Sequence, residues 1–453
     1  MVLLLSMACA PPTPLTPDRL SATGYDRLLI DTEALGYAPA DVSAVTIGGV
    51  PAFGLAETAD GQLSVTVQGG PAGEAAVSLV VDGAAVDAGA LEYAPPVDPI
   101  FDRMVAIGAS VTMGFQDGSP SQRAQLNGPA VHLARAAGAW MPLPLFHDNL
   151  WDSLDVSSIS PAPGCLLGDA GTFTTSATLN AVSAMADDEG ELDFRRARVS
   201  PDLEARNLAI GNYRISQIVH GAPPTDPSFA LLTYLSFAND SEGLGSDTGP
   251  SQLEQLEAMA PTLVVSTDLY GNDILGAALS APVSFELLTE EDPFVADLEL
   301  ALERLAATGA EVFLSNLPRV DRLPRIAQAG HDPAELAIVS ERGERFNALL
   351  DEHAGRHDNI HVVDAYGFVE ENPDGLEGDG FRLSLSTLGG LISYDGVHFT
   401  DTANALIAQL IADAITEELG IEVPEVPLAT VLAKDPHSPF VLEVYDRDPE
   451  DCE

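Results

Sequence analysis

Between Asp18 and Tyr93 apolar and polar residues alternate in short runs, as in Ser64-Val65-Thr66-Val67 and Val77-Ser78-Leu79-Val80-Val81. A period of two turns one side of a strand to a core and the other to water. Gly48-Gly49, Asp60-Gly61, Gly69-Gly70 and Asp82-Gly83 separate the runs. Pairs of this kind supply the positive φ angles that tight hairpins need. The pattern predicts a small all-β sandwich over residues 18–96. Pro95-Pro96-Val97-Asp98-Pro99 follows as a stiff linker.

From Arg103 the pattern changes. Residues 104–107, 263–266, 312–315 and 360–363 are continuously apolar or nearly so, as strands buried on both faces are. Between and after them, residues 130–137, 294–307, 335–354 and 402–419 carry apolar positions at helical spacing, and Gly420 ends the last. Strands alternating with helices predict a three-layer α/β/α domain with a parallel sheet over residues 97–420. In such a sheet ligands bind at the carboxyl ends of the strands, where Ser110 and Asn272 would fall. Residues 138–206 hold Trp140, Phe146, Trp151 and Phe173 among Pro, Gly and Ser. They read either as an insertion shaping the site mouth or as extra packing. Residues 421–453 read as an acidic tail.

Charge narrows the possible partners. Lys and Arg number 20 against 69 Asp and Glu, a formal net charge of -49, and Lys434 is the one lysine. Such a chain repels nucleic acid and anionic membrane surfaces. It suits a heavily solvated acidic surface, with a cationic partner or calcium as the alternatives. The 46% hydrophobic content is ample for sizeable cores.

The N-terminus reads as an export signal. A short apolar stretch leads to Ala8-Cys9, and a Pro/Thr-rich tether follows to residue 17. This resembles a bacterial lipoprotein signal, with Cys9 as the lipidated residue. It departs from that pattern in lacking a basic leading segment and in carrying Ser6 where leucine is usual. Cys165 and Cys452 are the remaining thiols, and no disulfide between them is expected.

Candidate chemistry lies in two segments far apart in the chain. Gly108-Ala109-Ser110-Val111 places a serine in a glycine-flanked turn after an apolar run, and Asp395-Gly396-Val397-His398 supplies a carboxylate and an imidazole. A serine hydroxyl needs an imidazole to take its proton, and the imidazole needs a carboxylate to hold its tautomer. Taken singly, each segment also reads as a turn, with Asp395 capping the helix that begins near Thr400.

In this order the two segments resemble the GDSL/SGNH hydrolases. Ala109 stands where the family name expects aspartate. Tyr270-Gly271-Asn272-Asp273 is similar to the family's Gly-x-Asn-Asp block, its glycine one place closer to the asparagine. Asn207-Leu208-Ala209-Ile210-Gly211-Asn212 is similar to the block usually ending in Pro-Gly, with Asn212 in the glycine's place. Residues 45–50 and Tyr93 make the β-sandwich similar to immunoglobulin-like IPT/TIG domains, a spacer or binding module by default.

The resemblance implies an extracytoplasmic serine esterase with Ser110, His398 and Asp395 as its triad and no cofactor. Its oxyanion donors would be the backbone at Ser110 and at Gly211 or Asn212, with the Asn272 side chain. Acyl transfer by the same triad, and a non-catalytic surface binding protein on a hydrolase scaffold, stand as alternatives. No metal site is expected. His353, His357 and His361 are four apart, but Gly355 and Asp358-Asn359 interrupt the helix that would align them, and the segment around Asn372-Pro373-Asp374-Gly375 lacks an EF-hand's spacing.

Overall fold

A computed structural model describes residues 14–147, 194–221, 250–373, 375–378, 381–387 and 389–439. Cys9, Cys165, Cys452, Trp151, Phe173, Asp374 and Asp379-Gly380 lie outside the described residues. Contacts divide the chain between Pro96 and Val97.

The first unit is a two-sheet β-sandwich. One sheet orders its strands β1 (Leu15–Thr16), β3 (Arg27–Ile30), β7 (Leu63–Thr66) and β6 (Phe53–Glu57). The other runs β2 (Arg19–Ser21), β9 (Ala84–Ala94), β8 (Gly73–Val81), β4 (Val42–Ile47) and β5 (Val50–Pro51). Leu28, Ile30 and Val65 of one sheet and Val45, Leu79 and Tyr93 of the other are buried. Asp82 and Gly83, both at positive φ, make the two-residue turn between β8 and β9. The expected start at residue 18 moves to at least Leu15. Leu15 pairs with Ile30 and is buried, which holds these tether residues in the sheet.

The second unit centres on a parallel sheet, β10 (Met104–Ala106), β11 (Leu263–Ser266), β12 (Glu311–Ser315) and β13 (Ile360–Val363), in that order. Asn207 adds a parallel bridge on the free edge of β10. The sheet therefore grows in one direction to Asn207 and in the other to β13, and the chain reverses its order at β10. Val105, Val264, Val312 and Leu314 pack one face into a core with helices Ile215–His220, Gln252–Ala258, Asn272–Leu279, Glu291–Ala307 and Pro333–Ala354. Helices Pro129–Ala137 and Asp401–Leu419 pack together on the other face. Thr400 caps helix Asp401–Leu419 through the amide of Ala403, and Gly420 closes it at φ 68°. The helix cap is thus Thr400, which leaves Asp395 for other bonds.

One expectation shifts. Residues 421–439 are not a free tail: helix Leu428–Leu432 packs on helix Asp401–Leu419, and Asp435 and His437 are buried. After Asn372 and Pro373, β14 (Leu376–Gly378) and β15 (Phe381–Leu383) form a hairpin. The described ends of the 138–206 segment join the body, with Phe146 buried and bridged to Arg198, and Arg206 stacked over Trp140 at 4.8 Å. Among the described residues no helix is long and apolar enough to cross a membrane.

Candidate active site

The strand β10 delivers the chain into a turn that only glycine can begin. Gly108 has φ 141°, and a Cβ there would stand 2.6 Å from Asp268 Oδ1 and 2.7 Å from Thr112 Oγ1. Asp268, just past the end of β11, is what crowds it. Its carboxylate accepts hydrogen bonds from the amides of Ala109 (2.9 Å), Val111 (2.7 Å) and Thr112 (3.3 Å), and from the Thr112 hydroxyl (2.6 Å). A carboxylate at the start of the short helix Ser110–Met113 satisfies donors that no helix turn can. The amide of Ser110, between these bonded neighbours, has no partner among the described residues.

The acid–base pair comes from the loop before helix Asp401–Leu419, closed by a bridge between Ile392 and Phe399 and by the Ser393 amide donating to His398 O at 2.7 Å. His398 Nε2 stands 2.9 Å from Ser110 Oγ, and His398 Nδ1 stands 2.7 Å from Asp395 Oδ2. An ionised carboxylate can only accept, so Nδ1 carries the ring proton and Nε2 is free to accept from the serine hydroxyl. Asp395 also accepts from the amides of Val397, His398 and Gly118 at 2.9, 2.9 and 3.0 Å. Burial works against its ionisation, but the His398 charge and these donors outweigh burial and hold the carboxyl well below its usual range. Phe115 lies against the His398 ring, centroids 4.5 Å apart.

Asn272 opens helix Asn272–Leu279 and lines the same cleft as Ser110 and His398. Its side chain donates to Tyr213 O at 3.0 Å, which fixes the amide group and leaves its second N–H available. Asn212 adopts φ 65°, the left-handed conformation a glycine would provide. The amides of Gly211 and Asn212 make no hydrogen bond among the described residues. Asp273, next to Asn272, is structural: it accepts from the Ile215 amide and the Thr289 hydroxyl, and burial pushes its carboxyl up to about 6.

His353, His357 and His361, spaced four apart in the sequence, do not share one helix. Helix Pro333–Ala354 ends before His357, and His361 sits on β13, its Nε2 3.0 Å from Glu311. Among the described residues no group of three or more His, Cys, Asp or Glu could hold a metal ion.

Behind the acid–base loop lies a charged cluster with no counterpart in the sequence reading. His437 is fully buried, its Nε2 2.8 Å from Asp117 Oδ1 and its Nδ1 3.1 Å from Asp435 Oδ1. Asp117 accepts the Tyr394 amide at 2.9 Å, while its neighbour Gly118 binds Asp395. Asp435 accepts from the amide and hydroxyl of Thr402, and Arg123 pairs through one nitrogen with both oxygens of Asp401. The spacing Asp435-Pro436-His437 in an otherwise acidic stretch was the available signal.

A partly open cleft lies over Ser110, His398 and Asn272 between Leu275, Leu317, Val320 and Leu323. Its charged members are engaged: Asp268 with the turn amides, and Arg319 with Asp321 at 2.7 Å. A hydroxyl, imidazole and carboxylate in hydrogen-bonded series, beside unbonded amides, can generate a nucleophile and receive an oxyanion. No curated protein matches the chain. The family profile described as GDSL-like Lipase/Acylhydrolase matches residues 104–411, more than half of the chain and all of this site. This chain belongs to the GDSL-like lipase/acylhydrolase family.

Proposed function

We propose that this protein hydrolyses a carboxylic ester through an acyl-enzyme on Ser110. His398 takes the hydroxyl proton as Ser110 attacks, then delivers it to the leaving alkoxide. Asp395 holds the imidazole and stabilises its cation. The oxyanion of each tetrahedral intermediate is received by the Ser110 amide, by the amide of Gly211 or Asn212, and by the second N–H of Asn272. Water then enters where the alcohol left, and His398 repeats its role in reverse.

The observation that carries this reading is the unbroken chain from Ser110 Oγ through His398 to the buried Asp395, at 2.9 and 2.7 Å. A binding protein on a relic scaffold would be favoured by Ala109 and Asn212, where the chain departs from its family. Both departures are accommodated. Asp268 ties down the amide of Ala109, and Asn212 takes the glycine-like backbone itself. Export and anchoring through Cys9 belong to the same proposal, resting on the sequence around that residue. The test is turnover of p-nitrophenyl esters by the native protein and by Ser110→Ala and His398→Ala. Each variant should be folded and reduced on the order of 10⁴-fold or more, as loss of a triad member requires. A variant that kept native turnover would remove its residue from the mechanism.

A further inference from the structure

Next to the catalytic cleft, on the far side of Phe399, lies a second pocket. Thr267, Pro318 and Phe399 line the cleft and also line this second, partly open pocket, set against helix Asp401–Leu419 and helix Ala365–Glu371. Phe399, the residue after His398, is therefore a partition between the two. Beyond it the walls are hydrocarbon, from Phe368, Val369, Leu391, Leu406, Ile407 and Leu410 among others, and no charged residue takes part.

Its polar members are Thr267, Ser315 and Asn316, and two of them are spent inside the protein. The Thr267 hydroxyl lies 2.8 Å from that of Thr112. Asn316 donates to Asp364 at 2.7 Å and accepts the Tyr366 amide at 2.7 Å. Only the Ser315 hydroxyl is left without a partner. A sugar would bring several hydroxyls into this slot and leave nearly all of them unpaired, which is costly. An alkyl chain loses nothing there and gains the transfer of each methylene from water.

Resting on the ester reading above, we propose that the slot beyond Phe399 receives the distal part of a linear aliphatic acyl group. The substrate class is then an ester of a medium-chain fatty acid, and an acetyl group, too short to pass Phe399, is a poor substrate. The residues that set the chain length lie on helix Asp401–Leu419, directly after the acid–base loop.

The readout is the ratio of kcat/KM for p-nitrophenyl octanoate to that for p-nitrophenyl acetate. Each methylene lodged is worth roughly a factor of four, so the native ratio should exceed about a hundred. Ile407→Trp, which fills the slot, should lower that ratio by about tenfold or more, and the milder Leu410→Phe should lower it in the same direction. A native ratio near one, or a ratio that neither variant changes, overturns the proposal; general damage to the fold lowers both rates and leaves the ratio alone. A native protein that turned over neither ester would defeat the ester reading and leave the slot to be judged by binding. Ser110→Ala protein should bind methyl octanoate saturably in ligand-observed NMR, more weakly once Ile407→Trp is added. Absence of such binding overturns the slot on its own account.

Discussion

Replacing His437 with glutamine should damage both stability and turnover, although His437 makes no contact with Ser110, His398 or Asp395. Its ring is buried between Asp117 and Asp435, with Arg123, Asp401, His132 and Tyr394 in the surrounding electrostatic network. Burial by itself disfavours the imidazolium, but the charges and acceptor oxygens of Asp117 and Asp435 outweigh it and raise the ring to about 9. A group raised from an unfolded value near 6.5 contributes its full stabilisation below that pH and loses it as pH climbs through the folded value. The shift corresponds to roughly 3 kcal/mol, present at pH 6 and largely gone by about pH 9. Leaving the buried Asp435 and the half-buried Asp117 without their cation costs a similar amount, up to about 3–5 kcal/mol. Asp117 also holds the Tyr394 amide and the adjacent Gly118 holds Asp395, so release of this turn displaces the acid–base loop. A displacement of a fraction of an ångström there should lower kcat by about 10- to 100-fold with little change in KM.

The assay is urea unfolding from pH 6 to 9. Both tryptophans, Trp140 and Trp151, follow Val97, so their fluorescence reports the second unit without the sandwich. Native protein should lose stability across that interval, and His437→Gln protein should be weaker at pH 6 and nearly flat above it. Parallel pH profiles for the two proteins would show that His437 is neutral in the fold, and the argument from its two carboxylates would fail.

Two further outcomes follow from the nucleophile turn and the oxyanion amides. Asn212→Gly should be nearly silent in kcat, because the left-handed backbone is kept, whereas Asn212→Val should strain it and cost on the order of 1–3 kcal/mol; steady-state kinetics with thermal unfolding separates them, and a harmful glycine would make the Asn212 side chain functional. Asp268→Asn leaves one acceptor oxygen for donors that two now serve, so Ser110 should lose its position. A fall in fluorophosphonate labelling rate by about tenfold or more, with the fold retained, is expected, and an unchanged rate would reduce Asp268 to packing.

The order serine, asparagine, aspartate, histidine could be read from the chain because each block follows a strand or precedes a helix whose hydrophobic pattern is plain. The run 263–266 coincides with β11 because a strand buried on both faces admits almost no polar residues, and 360–363 coincides with the edge strand β13 although His361 there is half-buried. The edge at Asn207 left no such run, being a single bridge. Asp268 was illegible for a different reason. Its bonds to Val111 and Thr112 cross more than 150 positions, and nothing local distinguishes an aspartate ending a strand from a solvated one. The segment after Gly420 was read as a tail because its acidic composition matches solvated chain. The partners that satisfy the buried His437 and Asp435, Asp117 and Thr402 respectively, are brought near only by the fold.

The most direct measurement is intact-mass and peptide-mass analysis after treatment with an alkyl fluorophosphonate. One adduct should form, on Ser110; Ser110→Ala should abolish it, and His398→Ala should slow it by orders of magnitude, since without the imidazole nothing takes the hydroxyl proton. An unlabelled but folded native protein, or an adduct on any other residue, would contradict the assignment of Ser110 as the nucleophile.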